Sequence, residues 1–310
     1  MPVNVLFSAP PALWSEYEDP LGRALSEAGI DATLSTDLPA EDVDYIVYAP
    51  NDHMSDFTPF TRARAVLSLW AGVEGIVGND TITMPLTRMV DPGLTQGMID
   101  WVTGHALRHH LDIDYFLANQ SGAWKPKVPP LATDRPVTVL GLGELGAACA
   151  QALAGLGFPV TGWSRSPKSI DGITCLHGDD GLAKALSSAQ ILVLLLPRTP
   201  QTEDLLDAEA LNLLPRGAVI LNPGRGPLIV DDALLSALDR GAVAHATLDV
   251  FRVEPLPADH PYWAHPQVTV TPHIASETRP ASASRVIADN IRRAEAGEPL
   301  LHLVDRARGY

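Results

Sequence analysis

The chain has 310 residues, 46% hydrophobic and 19% charged, an ordinary globular composition long enough for two domains. With 22 Lys and Arg against 37 Asp and Glu, its formal net charge is -15. That balance argues against nucleic acid or an anionic membrane as partner, while leaving room for a locally positive site for a small anion.

Cys149 and Cys175 have no metal-site or disulfide spacing, so no metal is expected. No stretch approaches the roughly 18–20 apolar residues of a membrane span. The opening MPVNVLFSAP lacks a basic segment ahead of a long apolar one, so no leader and a cytoplasmic location are expected.

In chain order, VNVLFSA (3–9) reads as a strand and DPLGRALSEAG (19–29) as a helix ending at Gly29. VDYIVYA (43–49) reads as a strand and RAVLSLWAG (64–72) as a helix-to-strand passage. The helical spacing from Gly97 to Gln120 predicts one long helix, and the proline-rich SGAWKPKVPPLATDRP (121–136) a linker. A second series follows: strands in PVTVLGLG, FPVTGW, AQILVLLLP, GAVILNPG, AHATLDVF and QVTVTPHIA, with a helix in ELGAACAQALAGLG. Near-continuous apolar strands alternating with helices imply parallel sheets covered on both faces. A last helix, RPASASRVIADNIRRAEAG (279–297), precedes the tail VDRARGY. The fold class is therefore α/β, with two doubly wound parallel-sheet domains. The last helix is placed to return to the first domain, giving 1–100 with 285–310 and, separately, 101–284.

Gly141, Gly143 and Gly146 form G-x-G-x-x-G between an apolar strand and an alanine-rich helix. That context suits a dinucleotide's pyrophosphate at a helix N-terminus, held by the backbone from Gly141 through Leu142, Gly143, Glu144 and Leu145 to Gly146. An NAD site would place an acid at the end of the next strand, bonding the ribose 2′-hydroxyl. Here that strand ends in Ser164-Arg165-Ser166, with Lys168 close behind and no acid. Arginine accommodates a 2′-phosphate that a carboxylate would repel, so NADPH is preferred, with NADH possible.

Three more motifs sit at strand ends, where doubly wound sheets bind ligands. Arg225 lies between two glycines in NPGRGP, Asp249 and Glu254 lie in TLDVFRVEPLP, and His273 follows a strand in VTVTPHIA. The glycines beside Arg225 suggest close approach of backbone to a ligand. Reducing a 2-oxo acid requires a hydride at the carbonyl carbon and a proton at its oxygen. Histidine as a residue type titrates near neutrality and suits the proton transfer. A carboxylate beside it orients the ring and favours its charged form, and an arginine binds the substrate's carboxylate. His109, His110, His260, His265 and His302 lack this context and read as surface or packing residues.

In the order LWAGVEGI, GLGELG, GWSRSPKS, LLPRTPQT, GRGPLIVDDALLSALDRG, LDVFRVEPLP, TPHIA and VDRARGY, these stretches resemble the D-isomer-specific 2-hydroxyacid dehydrogenases over nearly the full length. More narrowly they resemble the glyoxylate/hydroxypyruvate reductase A branch. The resemblance implies a flavodoxin-like substrate domain, a Rossmann cofactor domain and a homodimer built around the Rossmann domains and their linking segments. It assigns His273 as acid/base, Glu254 as its partner, Arg225 to the substrate, and the backbone of Ala71, Gly72 and Val73 to the substrate carboxylate. Asp249 falls near the nicotinamide carboxamide, with Met98 packing against that ring. Leu196, Pro197 and Thr202 lie beside the adenosine half, and Pro223, Gly224 and Ala275 also fall in the cofactor set. Trp70 and Tyr48 are expected to narrow the substrate pocket, and the arginines of VDRARGY to approach it.

Two rival readings stand beside this one. The first is the same chemistry on another 2-oxo acid, run with NADH. The second is a dinucleotide-sensing binding protein, which would not need Arg225, Glu254 and His273 together.

Overall fold

The computed structural model describes residues 2–307 and 309. The chain divides into two compact units, residues 1–94 with 277–310, and residues 95–276. The domain boundaries expected from sequence, 100/101 and 284/285, fall inside helices, because periodicity marks elements more sharply than the packing between them.

The first unit contains β1 (Val3–Ser8), α1 (Pro11–Glu27), β2 (Ala32–Ser35), β3 (Tyr45–Tyr48), β4 (Ala65–Ser68) and β5 (Leu86–Thr87). Among the described residues its strands pair in parallel in the order β2-β1-β3-β4-β5, the flavodoxin-like doubly wound order. Alternate residues feed different cores. Val5, Phe7, Tyr45, Val47, Ala65 and Leu67 face one apolar cluster, and Leu6, Ile46, Tyr48 and Val66 the other.

Helix α1 starts eight residues before the expected Asp19, because Pro11 occupies its first turn and Pro20 is tolerated inside it. Its buried Tyr17, Leu21, Ala24 and Leu25 make one helical stripe. The helix-to-strand passage expected at 64–72 is instead β4 followed by a turn. The run is too short and too continuously apolar to distinguish the two from periodicity.

Next come α2 (Pro92–His110) and α3 (Ile113–Ala118). The single helix expected over 97–120 is broken between them, where Asp112 takes a left-handed φ of 53° that aspartate tolerates. The linker 121–136 has no regular structure except a 3-10 turn at Ala132–Asp134.

The second sheet is built from β6 (Val137–Leu140), β7 (Val160–Ser164), β8 (Thr174–His177), β9 (Ile191–Leu194), β10 (Ala218–Asn222), β11 (Val243–Leu248) and β12 (Val268–Val270). Its helices are α4 (Glu144–Gly155), α5 (Gly178–Ser188), α6 (Ala208–Leu213) and α7 (Asp231–Asp239). The order β12-β11-β10-β9-β6-β7-β8 is parallel throughout and reverses direction between β6 and β9, the Rossmann switch point. Leu140, Leu192, Leu194 and Ile220 face one cluster, and Val137, Val139, Ile191, Val193, Val219 and Leu221 the other. That two-sided burial is why the strands read as unbroken apolar runs.

The last helix, α8 (Pro280–Glu295), belongs to the first unit, where Ala283, Ile287, Ala288 and Ile291 join the core that α1 also fills. No helix among the described residues is long and apolar enough to cross a membrane.

Candidate active site

Six loops of the second unit follow the carboxyl ends of its strands and carry the predicted cofactor and catalytic groups. The first joins β6 to α4. Gly141 has φ +105°, and a Cβ there would meet the Leu195 carbonyl oxygen at 2.5 Å. A Cβ at Gly146 would lie 1.7 Å from the Gly141 carbonyl oxygen, so the helix can start this close to the turn only with glycine. Gly143 differs: a Cβ there would enter open space. Gly143 is also the N-cap of α4 and supplies no capping side chain, leaving the helix's leading N–H groups for an anion. This cradle fits a dinucleotide pyrophosphate. Leu142 is buried against Gly162, so its backbone faces the loop while its side chain packs; Glu144 is exposed and Leu145 half-buried in the first turn.

Substituting Gly146→Ala is expected to destabilise the protein by about 1–3 kcal/mol, the usual range for overpacking, read as a lower urea midpoint. An unchanged midpoint would mean the turn relaxes freely.

At the end of β7, Ser164 is buried and its hydroxyl donates to the Ser166 carbonyl oxygen at 2.8 Å. That bond folds the turn and leaves Arg165, Ser166 and Lys168 exposed together. After β9, Thr202 donates to the Pro197 carbonyl oxygen at 2.6 Å and accepts from the Thr199 N–H at 2.8 Å, shaping the loop that carries half-buried Pro197 and buried Leu196.

After β10 the chain turns through buried Pro223 and Gly224 to half-buried Arg225. Asn222 holds this turn, accepting from the Gly224 N–H at 3.2 Å and donating to the Arg225 carbonyl at 3.0 Å. The glycines flanking Arg225 serve a different purpose from the one expected. A Cβ at Gly226 would strike the Phe251 backbone at 2.0 Å, and one at Gly224 the Leu194 carbonyl oxygen at 2.7 Å. The close approach is to the chain's own backbone.

The expected catalytic residues His273 and Glu254 come together between the loops after β11 and β12. The Nδ1 of His273 lies 2.7 Å from Glu254 Oε2, and Glu254 Oε1 accepts from the Phe251 N–H at 2.8 Å. Held at both oxygens, the carboxylate fixes the imidazole through Nδ1 and leaves Nε2 outward; the histidine side chain is 52% exposed. His273 itself takes a left-handed φ of 54°, an uncommon conformation for a non-glycine residue.

Asp249 explains how that conformation is kept. It is fully buried, and its Oδ1 accepts from Thr271 Oγ1 at 2.5 Å and from the Ile274 N–H at 3.0 Å. Its Oδ2 accepts from the Ala275 N–H at 2.9 Å, while the His273 N–H donates to the Asp249 carbonyl at 2.8 Å. The expected place of Asp249 was beside a carboxamide; in the structure its carboxylate binds the loop that carries His273. Asp249→Asn is expected to cost about 1–3 kcal/mol, because an amide nitrogen must then face an N–H or hydroxyl donor. A lower melting temperature checks it; an unchanged one would contradict it. Met98 and Ala275 are both buried in one apolar cluster of this unit.

In the first unit, β4 ends at Ser68, whose hydroxyl bonds both the N–H and the carbonyl of Trp70 at 3.1 Å in the loop that follows. Thr278 ties the same loop down by donating to the Leu69 carbonyl at 2.9 Å. The Trp70 ring is 43% exposed. Among the described residues, no hydrogen bond is donated by the N–H groups of Ala71, Gly72 or Val73. Three consecutive unused donors are available to an anion. Tyr48 is not presented in the expected way. It is buried edge-on against Phe57, and its hydroxyl donates to the Met54 carbonyl at 3.0 Å.

In the tail, Val304 N–H donates to the Leu86 carbonyl at 2.8 Å and Arg306 reaches the Asn79 carbonyl at 3.5 Å. Arg308, expected with Arg306 near the substrate, lies outside the described residues. His110 is buried against Phe158, His109 is buried with its Nε2 2.9 Å from Thr247 Oγ1, and His260 and His265 accept hydrogen bonds from local backbone N–H groups.

Residues 103–275 match the family model for the D-isomer specific 2-hydroxyacid dehydrogenase NAD binding domain. The chain belongs to that family. As a D-isomer specific 2-hydroxyacid dehydrogenase it is an NAD(P)-dependent oxidoreductase. It is 37% identical to a glyoxylate/hydroxypyruvate reductase A of Serratia proteamaculans, over 99% of this chain and all of the relative. A D-isomer specific 2-hydroxyacid dehydrogenase from Xanthobacter autotrophicus, crystallised with NADPH and MES, superposes with a TM-score of 0.91. It is 41% identical, covering 98% of this chain and 99% of that one. An NADPH-dependent glyoxylate/hydroxypyruvate reductase from Sinorhizobium meliloti, crystallised with NADP and sulfate, superposes at 0.85. It is 32% identical, covering 99% of this chain and all of that one.

Within this dehydrogenase, sequence reasoning missed Asn222, Thr271 and Ser68. Each acts by hydrogen-bonding a turn, and such side chains carry no motif of their own. The polar residue next to each glycine or strand end is the only trace they leave.

Proposed function

We propose that this dehydrogenase reduces small 2-oxo acids, glyoxylate to glycolate and hydroxypyruvate to D-glycerate, with NADPH as the preferred reductant. The observation that carries the reading is the His273–Glu254 pair at 2.7 Å, with Nε2 left outward on an exposed loop. The names of the Serratia and Sinorhizobium relatives support the substrate class, and the NADP-bound neighbours support the cofactor.

The α4 N-terminus and the Gly143 cradle would hold the pyrophosphate, and Arg165, Ser166 and Lys168 the 2′-phosphate. When bound, the reduced nicotinamide supplies a hydride to the substrate's carbonyl carbon. His273 donates the proton to the carbonyl oxygen from Nε2, because Nδ1 is engaged by Glu254. The Glu254 carboxylate balances the ring's positive charge before transfer. Arg225, in the second unit, binds a substrate carboxylate, and the unused N–H groups of Ala71, Gly72 and Val73, in the first, suit the same kind of anion. Trp70, beside those donors, restricts the size of the substrate side chain.

The protein acts in the cytoplasm as a homodimer. Trp124 is 96% exposed and Val128 89%, with Leu117 and Leu131 also mostly in solvent. A second copy of the chain covers this apolar segment. Light scattering should give twice the chain mass, and Trp124→Glu should shift it toward the chain mass; a wild-type monomer would contradict the assignment.

A panel of 2-oxo acids, followed by loss of NADPH absorbance, tests the activity. Turnover of glyoxylate and hydroxypyruvate above bulkier 2-oxo acids is expected. Preference for a bulky acid, or for NADH, would replace this reading with its nearest rival. No turnover of any acid would favour a sensor.

A further inference from the structure

The second unit holds a cluster of metal-binding groups that the catalytic reading does not use. His109 near the end of α2, Asp114 in the first turn of α3 and His245 in β11 each offer one ligand atom, and these atoms lie within 4.8 Å of one another. The two imidazole rings stand 4.7 Å apart between centroids, and His109 Nδ1 is 4.0 Å from Asp114 Oδ2. Their spacing along the chain carries no metal signature, since one ligand comes from a strand more than a hundred residues after the others.

Each ring is anchored on its far side. His109 Nε2 is 2.9 Å from Thr247 Oγ1, and His245 Nε2 is 2.9 Å from Thr269 Oγ1. Such partners fix the orientation of each ring and leave its Nδ1 edge toward the cluster. Arg108 occupies the other oxygen of Asp114, donating from Nε to Oδ1 at 2.9 Å, which leaves Oδ2 as the open acceptor. Arg108 also donates to Thr269 Oγ1 at 3.0 Å, so the surrounding polar groups form one connected network.

We propose that His109, Asp114 and His245 form a binding site for a divalent transition-metal ion of the zinc class, which ties α2 and α3 to β11. Two imidazoles and one carboxylate favour zinc, nickel or copper over magnesium and calcium, which prefer all-oxygen sites. Zinc bonded at about 2.0–2.1 Å draws tetrahedral ligand atoms to about 3.4 Å apart. The required contraction falls on Asp114, the most exposed of the three and part of a six-residue helix. A water completes the fourth position. His245 lies in the first half of β11, whereas Asp249 and the His273 loop lie beyond its carboxyl end, so the ion's role is structural.

The test uses the full-length chain without an affinity tag, stripped with a chelator and titrated with zinc chloride alone by calorimetry and by thermal melting. One zinc ion per chain and a raised melting temperature are expected, with no response to magnesium chloride. His245→Gln and Asp114→Asn should each weaken zinc binding by about 10-fold or more and remove the thermal shift. The Asp114 side chain is 40% exposed, so its variant keeps the fold and decides the matter if the other does not. No saturable zinc uptake, or uptake that Asp114→Asn leaves unchanged, would overturn the site.

Discussion

His273→Ala is expected to lower kcat for glyoxylate reduction by about 10³-fold, within the range of a lost general acid. That factor corresponds to about 4 kcal/mol of transition-state stabilisation. NADPH affinity should stay within about twofold, because the phosphate cradle at Gly141–Gly146 lies on a different loop. The split is informative: a histidine that only supported the fold would move affinity and melting temperature as well. Glu254→Gln should produce a smaller loss in kcat. It keeps a hydrogen-bond acceptor for Nδ1 at the 2.7 Å position but removes the charge that balances the imidazolium. Retained kcat in His273→Ala would transfer the proton to another donor and end the assignment.

The second large effect concerns the cofactor. Arg165→Asp is expected to lower kcat/KM for NADPH by about 100-fold and to leave kcat/KM for NADH nearly unchanged. A charge-assisted hydrogen bond contributes about 1.5–3 kcal/mol, and the new carboxylate also repels the 2′-phosphate. Lys168→Ala should cost less, because an ammonium acts as a point charge and lacks the guanidinium's bidentate fork for phosphate. Ser164→Ala acts through shape rather than charge, since the Ser164 hydroxyl is committed to the Ser166 carbonyl. Equal NADPH efficiency in Arg165→Asp would place the 2′-phosphate elsewhere. Initial rates with both cofactors at fixed glyoxylate distinguish these outcomes.

Much of this molecule was legible before any coordinates. The apolar runs at 137–140, 191–194 and 218–222 are strands because both faces of their sheet are covered, and unbroken apolar sequence records that directly. The glycine pattern was legible because Gly141 and Gly146 meet steric limits that other residues cannot satisfy. Other features were illegible for equally physical reasons. Strand β8 lies at a sheet edge and is only partly buried, so it has no apolar run to announce it. The break at Asp112 leaves helical spacing intact on both sides and shows only as a backbone angle.

The site divides in the same way. That His273 and Glu254 lie together was expected from their strand-end motifs, while the part Asp249 plays shows only in its hydrogen bonds. A buried carboxylate with three donors to its oxygens looks, in sequence, like any other strand-end acid. Tyr48 shows the opposite error, because a tyrosine at a strand end is as available to a core as to a ligand, and here the core takes it. Arg225 was chosen for sound chemical reasons, yet its glycine neighbours answer to Phe251 and Leu194 rather than to a ligand.

Chiral analysis of the product formed from hydroxypyruvate and NADPH bears on the central claim most directly. The account predicts one D-glycerate for each NADPH oxidised by the wild-type protein and almost none by His273→Ala. L-glycerate, or no glycerate at all from the wild-type protein, would contradict it.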